Sequence, residues 1–397
     1  MHVVVVGGGM VGMFASYYLL KDGHTVSLVD KVEKSETSRL WNPGFIVPSF
    51  AGAPLIGMST ILAPYVGREG PVYISPCEVL RNIGWYNMAS KKALTGYEEA
   101  VMSLGKESLI QYLDFFKNES LDPDVKRGVA GFYLNRQDAE MAATASKARF
   151  LDETEASEMG FKEVAGGIFL ENEIGINPTK LFDGLRTKLG ELGTKFIFGK
   201  EAELKPDQGR IKSISVEGGQ AIKGDSFVLA TGSWSNKICK SIGYDPHVLP
   251  ARGLVTVFET QGEKIISAPS ILEDTGIAVT QHDENTLRLT GFFEMVNFKK
   301  DYTQSRKEWL YDNARKHIIK YDELKLVSEG VGYRPCTPDQ LPVIGKIPHY
   351  ENLYIAAGHC RLGITLSPGS ADIIRTMING TPIADESWRA FDPARFT

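Results

Sequence analysis

Cysteine is scarce in this chain, and the little there is does not cluster. Four cysteines, Cys77, Cys239, Cys336 and Cys360, are spread over 397 residues without a CxxC pair. That spacing points to neither a zinc site nor a disulfide framework, and a reducing compartment is the simplest expectation. Blocks of like charge are missing as well. With a formal net charge of -5 and no basic stripe, the chain lacks an electrostatic footprint for phosphate backbones, so nucleic acid is not expected as a partner. Long apolar runs are absent except from His2 to Leu20. There, Gly7, Gly8 and Gly9 argue against one continuous helix, and no basic segment precedes the run as it would in a signal peptide. No other stretch approaches the roughly 18 uncharged apolar residues of a spanning helix. A soluble protein, at most peripheral to a membrane, is expected. Internal repeats and low-complexity tracts are also lacking.

What is present is ordinary globular usage, 43% hydrophobic and 23% charged, which excludes a disordered or fibrous chain. The length suggests roughly two or three domain-sized units. The most informative segment comes first. Val3 to Val6 is a β-branched run suited to a parallel strand buried on both faces. It ends at Gly7-Gly8-Gly9-Met10-Val11-Gly12, a full GxGxxG. Apolar residues then recur at helical spacing from Met10 to Lys21, and Thr25 to Val29 reads as a second strand closing on Asp30.

Each glycine of this motif has a physical duty. Gly7 permits a tight turn, Gly9 lets the backbone approach a pyrophosphate, and Gly12 lets the helix pack closely on the strand. Free N–H groups at the start of the helix, around Met10 and Val11, favour phosphate charge. Asp30 stands where a carboxylate must sit to hold ribose hydroxyls, with Lys31 beside it. FAD and NAD both use such a unit. The chain has one GxGxxG only, which disfavours a flavin reductase fed by a pyridine nucleotide.

Farther along, strands are predicted over 166–170, 195–198, 211–216, 227–229 and 353–356, with alternating strands between 248 and 289. Helices are predicted near 78–89, 96–118, 177–192, 303–320 and 368–379. The span 50–140 reads as a mixed, partly helical insertion, and a Gly/Pro-rich loop opens the last block at Gly330.

Six segments in order, GGGMVG, NPGFIVPS, DSFVLATGSWS, GYRPCTPDQLPVIG, GHCRLGITLSPG and FDPARF, give the chain a resemblance to the D-amino-acid oxidase and dehydrogenase (DAO) family of FAD enzymes. That family includes glycine oxidase, sarcosine oxidase and the small subunit of D-amino-acid dehydrogenase. The resemblance implies an α/β fold: a discontinuous Rossmann-like FAD-binding domain (1–48, 145–246 and 330–397) plus an α+β substrate-binding domain with an antiparallel sheet (49–144 and 247–329).

It also implies roles. Gly7, Gly9, Gly12 and Asp30 match the ADP-binding set, and Ser38 and Arg39 the approach to the pyrophosphate. Asn42 and Gly44 match a loop over the flavin ring, and Ala230, Thr231 and Gly232 a turn beside the cofactor. Gly358, His359, Leu362, Gly363, Ile364 and Thr365 match the cradle of the pyrimidine end. Arg334, in Gly332-Tyr333-Arg334-Pro335, is implied as the carboxylate ligand, with Tyr333 and Arg361 beside it; a guanidinium offers the planar fork a carboxylate needs. Arg252 and Arg361 remain its competitors. His359 invites a general-base role, but a histidine fixed by hydrogen bonds is an equal reading. Neither Cys336 nor Cys360 aligns with a position of covalent attachment, so noncovalent FAD is expected.

The implied reaction is oxidative deamination of a small amino or imino acid, of the D-amino acid or D-proline/hydroxyproline type. A hydride passes from Cα to flavin N5, and the electrons go on to a quinone, a dye or another subunit. An oxygen-using glycine or sarcosine oxidase is the alternative. A noncatalytic electron-relay flavoprotein subunit is the alternative of another class. The resemblance is compatible with a cytoplasmic protein, with peripheral association on the inner face of the cell membrane, and with homo- or hetero-oligomers.

Overall fold

The β-branched run at the start forms strand β1 (His2–Val6), followed by helix α1 (Met10–Lys21) and strand β2 (Thr25–Asp30). These elements belong to a computed structural model that describes residues 1–33, 42–49, 70–91, 97–199, 201–216 and 221–397. β1 lies inside a six-stranded sheet, between β2 and the strand Ser226–Leu229, with Val3 opposite both Val26 and Ser226. The order across the sheet is Val343–Lys346, Leu353–Ala357, Ser226–Leu229, β1, β2 and Lys195–Phe198. All neighbours run parallel except Val343–Lys346.

The absence of polar residues in β1 follows from this position. Alternate side chains of a strand point to opposite faces, and here both faces are covered. Val3 and Val5 pack with Leu19 of α1 and with Ile374 of the helix Ser367–Ile378. Val4 and Val6 pack against Leu204, Ile214 and Val216 of a small antiparallel sheet, Ala202–Asp207, Arg210–Val216 and Ala221–Ile222. Each of Val3, Val4 and Val5 is fully buried.

The second large sheet has ten strands and is mostly antiparallel. Its order runs from Lys325–Cys336 through Leu249–Glu259, Thr286–Met295, Ile277–Thr280, Ser270–Leu272, Lys126–Tyr133 and Gly166–Gly175 to Phe45–Ile46. Val72–Ile74 pairs with Thr286–Met295, and Arg149–Leu151 with Gly166–Gly175. Only the pairs Ser270–Leu272 with Lys126–Tyr133 and Thr286–Met295 with Val72–Ile74 are parallel. The architecture is thus the α/β arrangement expected, a parallel nucleotide-type sheet beside a largely antiparallel one.

Three local expectations need correction. The segment from Gly330 is not a loop: Lys325–Cys336 is a twelve-residue strand paired along its length with Leu249–Glu259. Its glycines and Pro335 read as loop residues, but the strand lies at the edge of the sheet, where proline is tolerated. The helical pattern near 78–89 divides into two helices, Pro76–Arg81 and Ile83–Lys91. Within the span read as a partly helical insertion, Lys126–Tyr133 is a full strand of the ten-stranded sheet.

One buried ion triad fixes the sheet around the strand that carries Arg334. Glu294, with 1% of its surface exposed, accepts from Arg252 Nε at 2.7 Å and from Arg306 Nε at 2.9 Å. It thereby joins Thr286–Met295, Leu249–Glu259 and the helix Gln304–His317. Removing the carboxylate leaves two guanidiniums buried around an uncompensated position. Glu294→Ala should therefore lose about 3–5 kcal/mol of stability, measured by urea unfolding at fixed FAD concentration. A loss below about 1 kcal/mol, the range of an exposed pair, would mean that the triad holds nothing together.

Candidate active site

Three adjacent parallel strands end side by side, β1 at Gly7, Ser226–Leu229 at Ala230 and Leu353–Ala357 at Gly358. A cavity of about 2330 Å³ begins at these carboxyl ends and reaches Val255, Ala278 and Thr290 on the ten-stranded sheet. The carboxyl edge of a parallel sheet is where open α/β folds bind ligands, and this cavity is long enough in composition to have two chemically different ends.

At the first end, backbone replaces side chain. Gly7 adopts a φ of 110° and donates its N–H to the Val29 carbonyl at 2.8 Å. A Cβ on Gly7 would overlap the Ala230 carbonyl, and one on Gly12 would overlap the Gly7 carbonyl. Gly12 therefore lies behind the cavity wall, while Gly7, Gly9, Met10 and Val11 line it. α1 has Gly9 as its N-cap, with no side-chain cap and no acidic residue in its first turn, so among the described residues no side-chain cap occupies its leading N–H groups. A phosphate fits such a helix start.

Asp30, at the end of β2, lines the cavity and accepts from the N–H groups of Gly8 and of Val32, the latter at 3.0 Å. Burial raises its carboxyl above the ordinary value. Lys31 is also on the wall, paired at 2.6 Å with Glu201. Ser38 and Arg39 lie outside the described residues. Ala230, Thr231 and Gly232 continue the wall from the middle strand.

The loop at Asn42 closes on itself: Gly44 N–H donates to Asn42 Oδ1 at 2.7 Å, and Ile176 N–H donates to the Gly44 carbonyl at 2.8 Å. Asn42 lines the cavity and Gly44 sits behind it. Among the residues predicted for the last turn, His359, Leu362, Gly363 and Ile364 line the cavity, whereas Gly358 and Thr365 support it from behind. Thr365 Oγ1 donates to the Phe45 carbonyl at 3.2 Å, tying this turn to the Asn42 loop. His359 Nε2 shares a hydrogen bond of 2.9 Å with Ser370 Oγ. Burial lowers its pKa to about 4, which favours the neutral ring.

Arginine marks the other end. Arg334 Nη1 donates to the Phe292 carbonyl at 2.8 Å, and the guanidinium lies over Gly253, where a Cβ would collide with it. Burial pulls its pKa below the ordinary value. Among the described residues no carboxylate pairs with Arg334. Its rival Arg252 is committed elsewhere, to Glu294 and to the carbonyls of Lys299 and Asp301 at 3.2 and 2.8 Å. Arg361 keeps surface open to the cavity yet stands deep among protein atoms, which brings its pKa down to about 10. Tyr333 lines the cavity, but its hydroxyl donates to the Phe298 carbonyl at 3.1 Å.

Two features escaped the motif reading. Cys336 and Cys360 form a disulfide with Cα atoms 4.3 Å apart, contrary to the expectation from their spacing. They are separated by 24 residues in sequence, and the pairing of Cys336 with His359 as an isolated β-bridge, with Cys360 N–H donating to the Pro335 carbonyl, brings them together. The bond ties the strand of Arg334 to the turn of Arg361. Glu273 is the second feature: it lines the cavity from a turn after the strand Ser270–Leu272, and no sequence motif surrounds it.

Comparison with known proteins agrees with this geometry. The pattern of the family described as FAD dependent oxidoreductase (DAO) matches residues 2–377. A D-amino acid dehydrogenase of Vibrio atlanticus is 24% identical over 96% of this chain and 96% of its own length. Two solved structures share the fold. Glycine oxidase from Geobacillus kaustophilus superposes with a TM-score of 0.77 at 17% identity, over 100% of this chain and 98% of that one. L-proline dehydrogenase from P. horikoshii gives 0.76 at 18% identity, over 100% and 97%. The chain belongs to the DAO family of FAD-dependent oxidoreductases.

Proposed function

We propose that this protein oxidises the C–N bond of a small amino or imino acid, of the D-amino acid or D-proline/hydroxyproline type, and hands the electrons to a quinone or similar acceptor. The observation that carries this reading is Arg334, a partly buried guanidinium on the cavity wall with no carboxylate partner among the described residues. A cation so placed is stabilised by an anionic ligand, and its planar fork suits a carboxylate. The Vibrio atlanticus D-amino acid dehydrogenase supports the choice of a dehydrogenase over an oxygen-using oxidase. A relay subunit without substrate has no use for such a clamp.

In this reading the nucleotide end would hold FAD: Gly7, Gly9 and the start of α1 toward its pyrophosphate, Asp30 toward its ribose, and the turn 358–365 toward the ring. The cofactor is held noncovalently, since Cys336 and Cys360 are joined to each other. When bound, FAD supplies the two-electron acceptor for the hydrogen lost from the substrate α-carbon. The chain's own residues bind and orient. Arg334 takes the carboxylate, the fixed neutral His359 keeps a rigid wall, and Phe292 and Phe293 give the inner cavity an apolar lining that excludes water. The division into a cofactor domain (1–48, 145–246 and 330–397) and a substrate domain (49–144 and 247–329) belongs to the same reading.

The reading is tested by an anaerobic panel of D- and L-amino and imino acids, scored by bleaching of the flavin band. At least one small D-amino or imino acid should bleach it, and reoxidation should be fast with a quinone and slow in air. Fast reoxidation by air would make the protein an oxidase instead. A panel without bleaching overturns the amino-acid reading.

Arg334→Ala should keep FAD and a near-normal spectrum while kcat/KM falls by about 2–5 kcal/mol in transition-state terms. Arg334→Lys should recover only part, because an ammonium lacks the fork. An Arg334→Ala enzyme with full activity would move the clamp to Arg361. Asp30→Ala should act at the opposite end. Loss of hydrogen bonds to a carboxylate, about 1.5–3 kcal/mol, corresponds to roughly a ten- to hundred-fold rise in the FAD Kd, with turnover near normal at saturating FAD. An unchanged Kd would remove Asp30 from the cofactor site.

A further inference from the structure

The inner cavity holds an acid that the mechanism above leaves unused. Glu273 follows the strand Ser270–Leu272, and its backbone is held in place: its N–H donates to the Phe132 carbonyl at 2.9 Å, and its carbonyl accepts from Gly276 N–H at 3.3 Å. The side chain lies over Gly131 of the neighbouring strand. A Cβ there would stand 2.9 Å from Glu273 Oε1, so glycine makes the room. That oxygen is buried and has no hydrogen-bond partner among the described residues. The same cavity wall carries Arg334 and Arg361.

The charged and titratable groups around Glu273 come from three elements. Arg361, on the turn after Leu353–Ala357, attracts its negative charge; Asp274, on its own turn, repels it. Tyr133, on Lys126–Tyr133, is the remaining titratable neighbour. Burial is the largest influence, and it outweighs Arg361, bringing the Glu273 pKa up to about 7. An unsatisfied acceptor in a ligand cavity is a place where a ligand donor is missing.

We propose that Glu273 accepts the proton of the substrate amine, the bound form being a zwitterion with its carboxylate on Arg334 and its ammonium toward Glu273 Oε1. This rests on the amino-acid reading of the cavity and names the ionic form of the substrate. One N–H bond of the ammonium breaks and one O–H bond forms on Glu273. The electron pair stays on nitrogen, where it assists loss of hydrogen from the α-carbon. The overall charge of the site is unchanged by the transfer, because an ammonium–carboxylate pair becomes an amine and an acid.

The pH consequence has a definite sign. Glu273 accepts a proton only when ionised, and its folded-state pKa is raised, so activity is lost as pH falls through about 7. Wild-type kcat/KM should drop tenfold per unit below that point. Glu273→Gln keeps the shape of the side chain and removes the acceptor. At pH 7 its kcat/KM should fall about 10²–10⁴-fold, the limb near pH 7 should vanish, and the remaining activity should rise with pH as the substrate amine loses its proton in solution.

A second readout does not require turnover. 2-Aminoisobutyrate has no α-hydrogen to lose, so its binding to the FAD-loaded protein can be followed by calorimetry in buffers of different ionisation heat. Wild-type protein should release about one proton per site at pH 5.5 and close to none at pH 8.5, following the Glu273 pKa, while Glu273→Gln should show no such pH dependence. A wild-type release curve that is flat over this range overturns the proposal even if the variant fails to retain FAD. So does a Glu273→Gln enzyme that keeps the limb near pH 7. If no amino acid bleaches the wild-type flavin, the amino-acid reading fails and takes this proposal with it; bleaching that persists with an unaltered limb in Glu273→Gln sinks this proposal alone.

Discussion

A guanidinium placed among protein atoms without a carboxylate is costly, and the far end of the cavity is organised around Arg334, which has no carboxylate partner among the described residues. Burial pulls the Arg334 pKa below its ordinary value, and among the described residues its guanidinium donates to the Phe292 carbonyl. The surrounding residues tolerate this placement without cancelling the charge. Gly253 gives up its side chain so that the guanidinium can lie flat on the backbone. The neighbouring acid Glu294 is occupied by Arg252 and Arg306. What is left is a fixed positive charge with its surface toward a cavity, the arrangement that favours an anionic ligand over any internal partner.

The position of that charge relative to the nucleotide end depends on how two sheets meet. The parallel sheet ends at Gly7, Ala230 and Gly358; a Cβ on Gly7 would overlap the Ala230 carbonyl, and one on Gly358 would crowd the Thr337 methyl. The strand Lys325–Cys336 belongs to the other sheet. Its last residue is bonded to Cys360, in the turn that follows Leu353–Ala357 of the first. Cys360 N–H also donates to the Pro335 carbonyl at 2.7 Å. Arg334 is thus joined within two residues to the turn that lines the cofactor side. A shift of either sheet would have to break this covalent link, so the separation between the two ends of the cavity is set by short connections.

The nucleotide end was legible in the sequence because its pattern is local. A β-branched strand, GxGxxG and a largely apolar helix specify β1, the turn and α1 within twenty residues or so, and the helix spans Met10–Lys21. The ligand end was legible only through the resemblance carried by GYRP. Its strand was read as a loop because glycine and proline weaken a strand pattern, and they are tolerated by pairing with Leu249–Glu259, far away in sequence. The disulfide was missed for the same reason: spacing detects ligands a few residues apart, whereas here a β-bridge supplies the proximity. Glu273 carries no signal at all in its neighbours. Its place on the cavity wall depends on Gly131 lying opposite, and that juxtaposition exists only in the folded sheet.

The choice between Arg252 and Arg334 shows where sequence reading stops and register begins. Both sit in glycine- and proline-flanked segments, Pro250-Ala251-Arg252-Gly253 and Gly332-Tyr333-Arg334-Pro335, and residue type does not separate them. In the folded sheet the two strands pair antiparallel with Arg252 opposite Tyr333 and Ala251 opposite Arg334. Directly paired residues project to the same face, and successive residues to opposite faces. Arg252 therefore shares a face with Tyr333, and both bond the backbone of the segment 298–301. Arg334 shares the opposite face with Ala251. There the small partner leaves the guanidinium space, and no acid among the described residues pairs with it. A slip of one residue would exchange these faces, placing Arg334 on the side of the Lys299 and Asp301 carbonyls that Arg252 now bonds. Which arginine pairs with Glu294 and which stays on the cavity wall is accordingly tied to strand register, set by the long Leu249–Glu259 and Lys325–Cys336 ladder, whose last residue carries the Cys336–Cys360 bond.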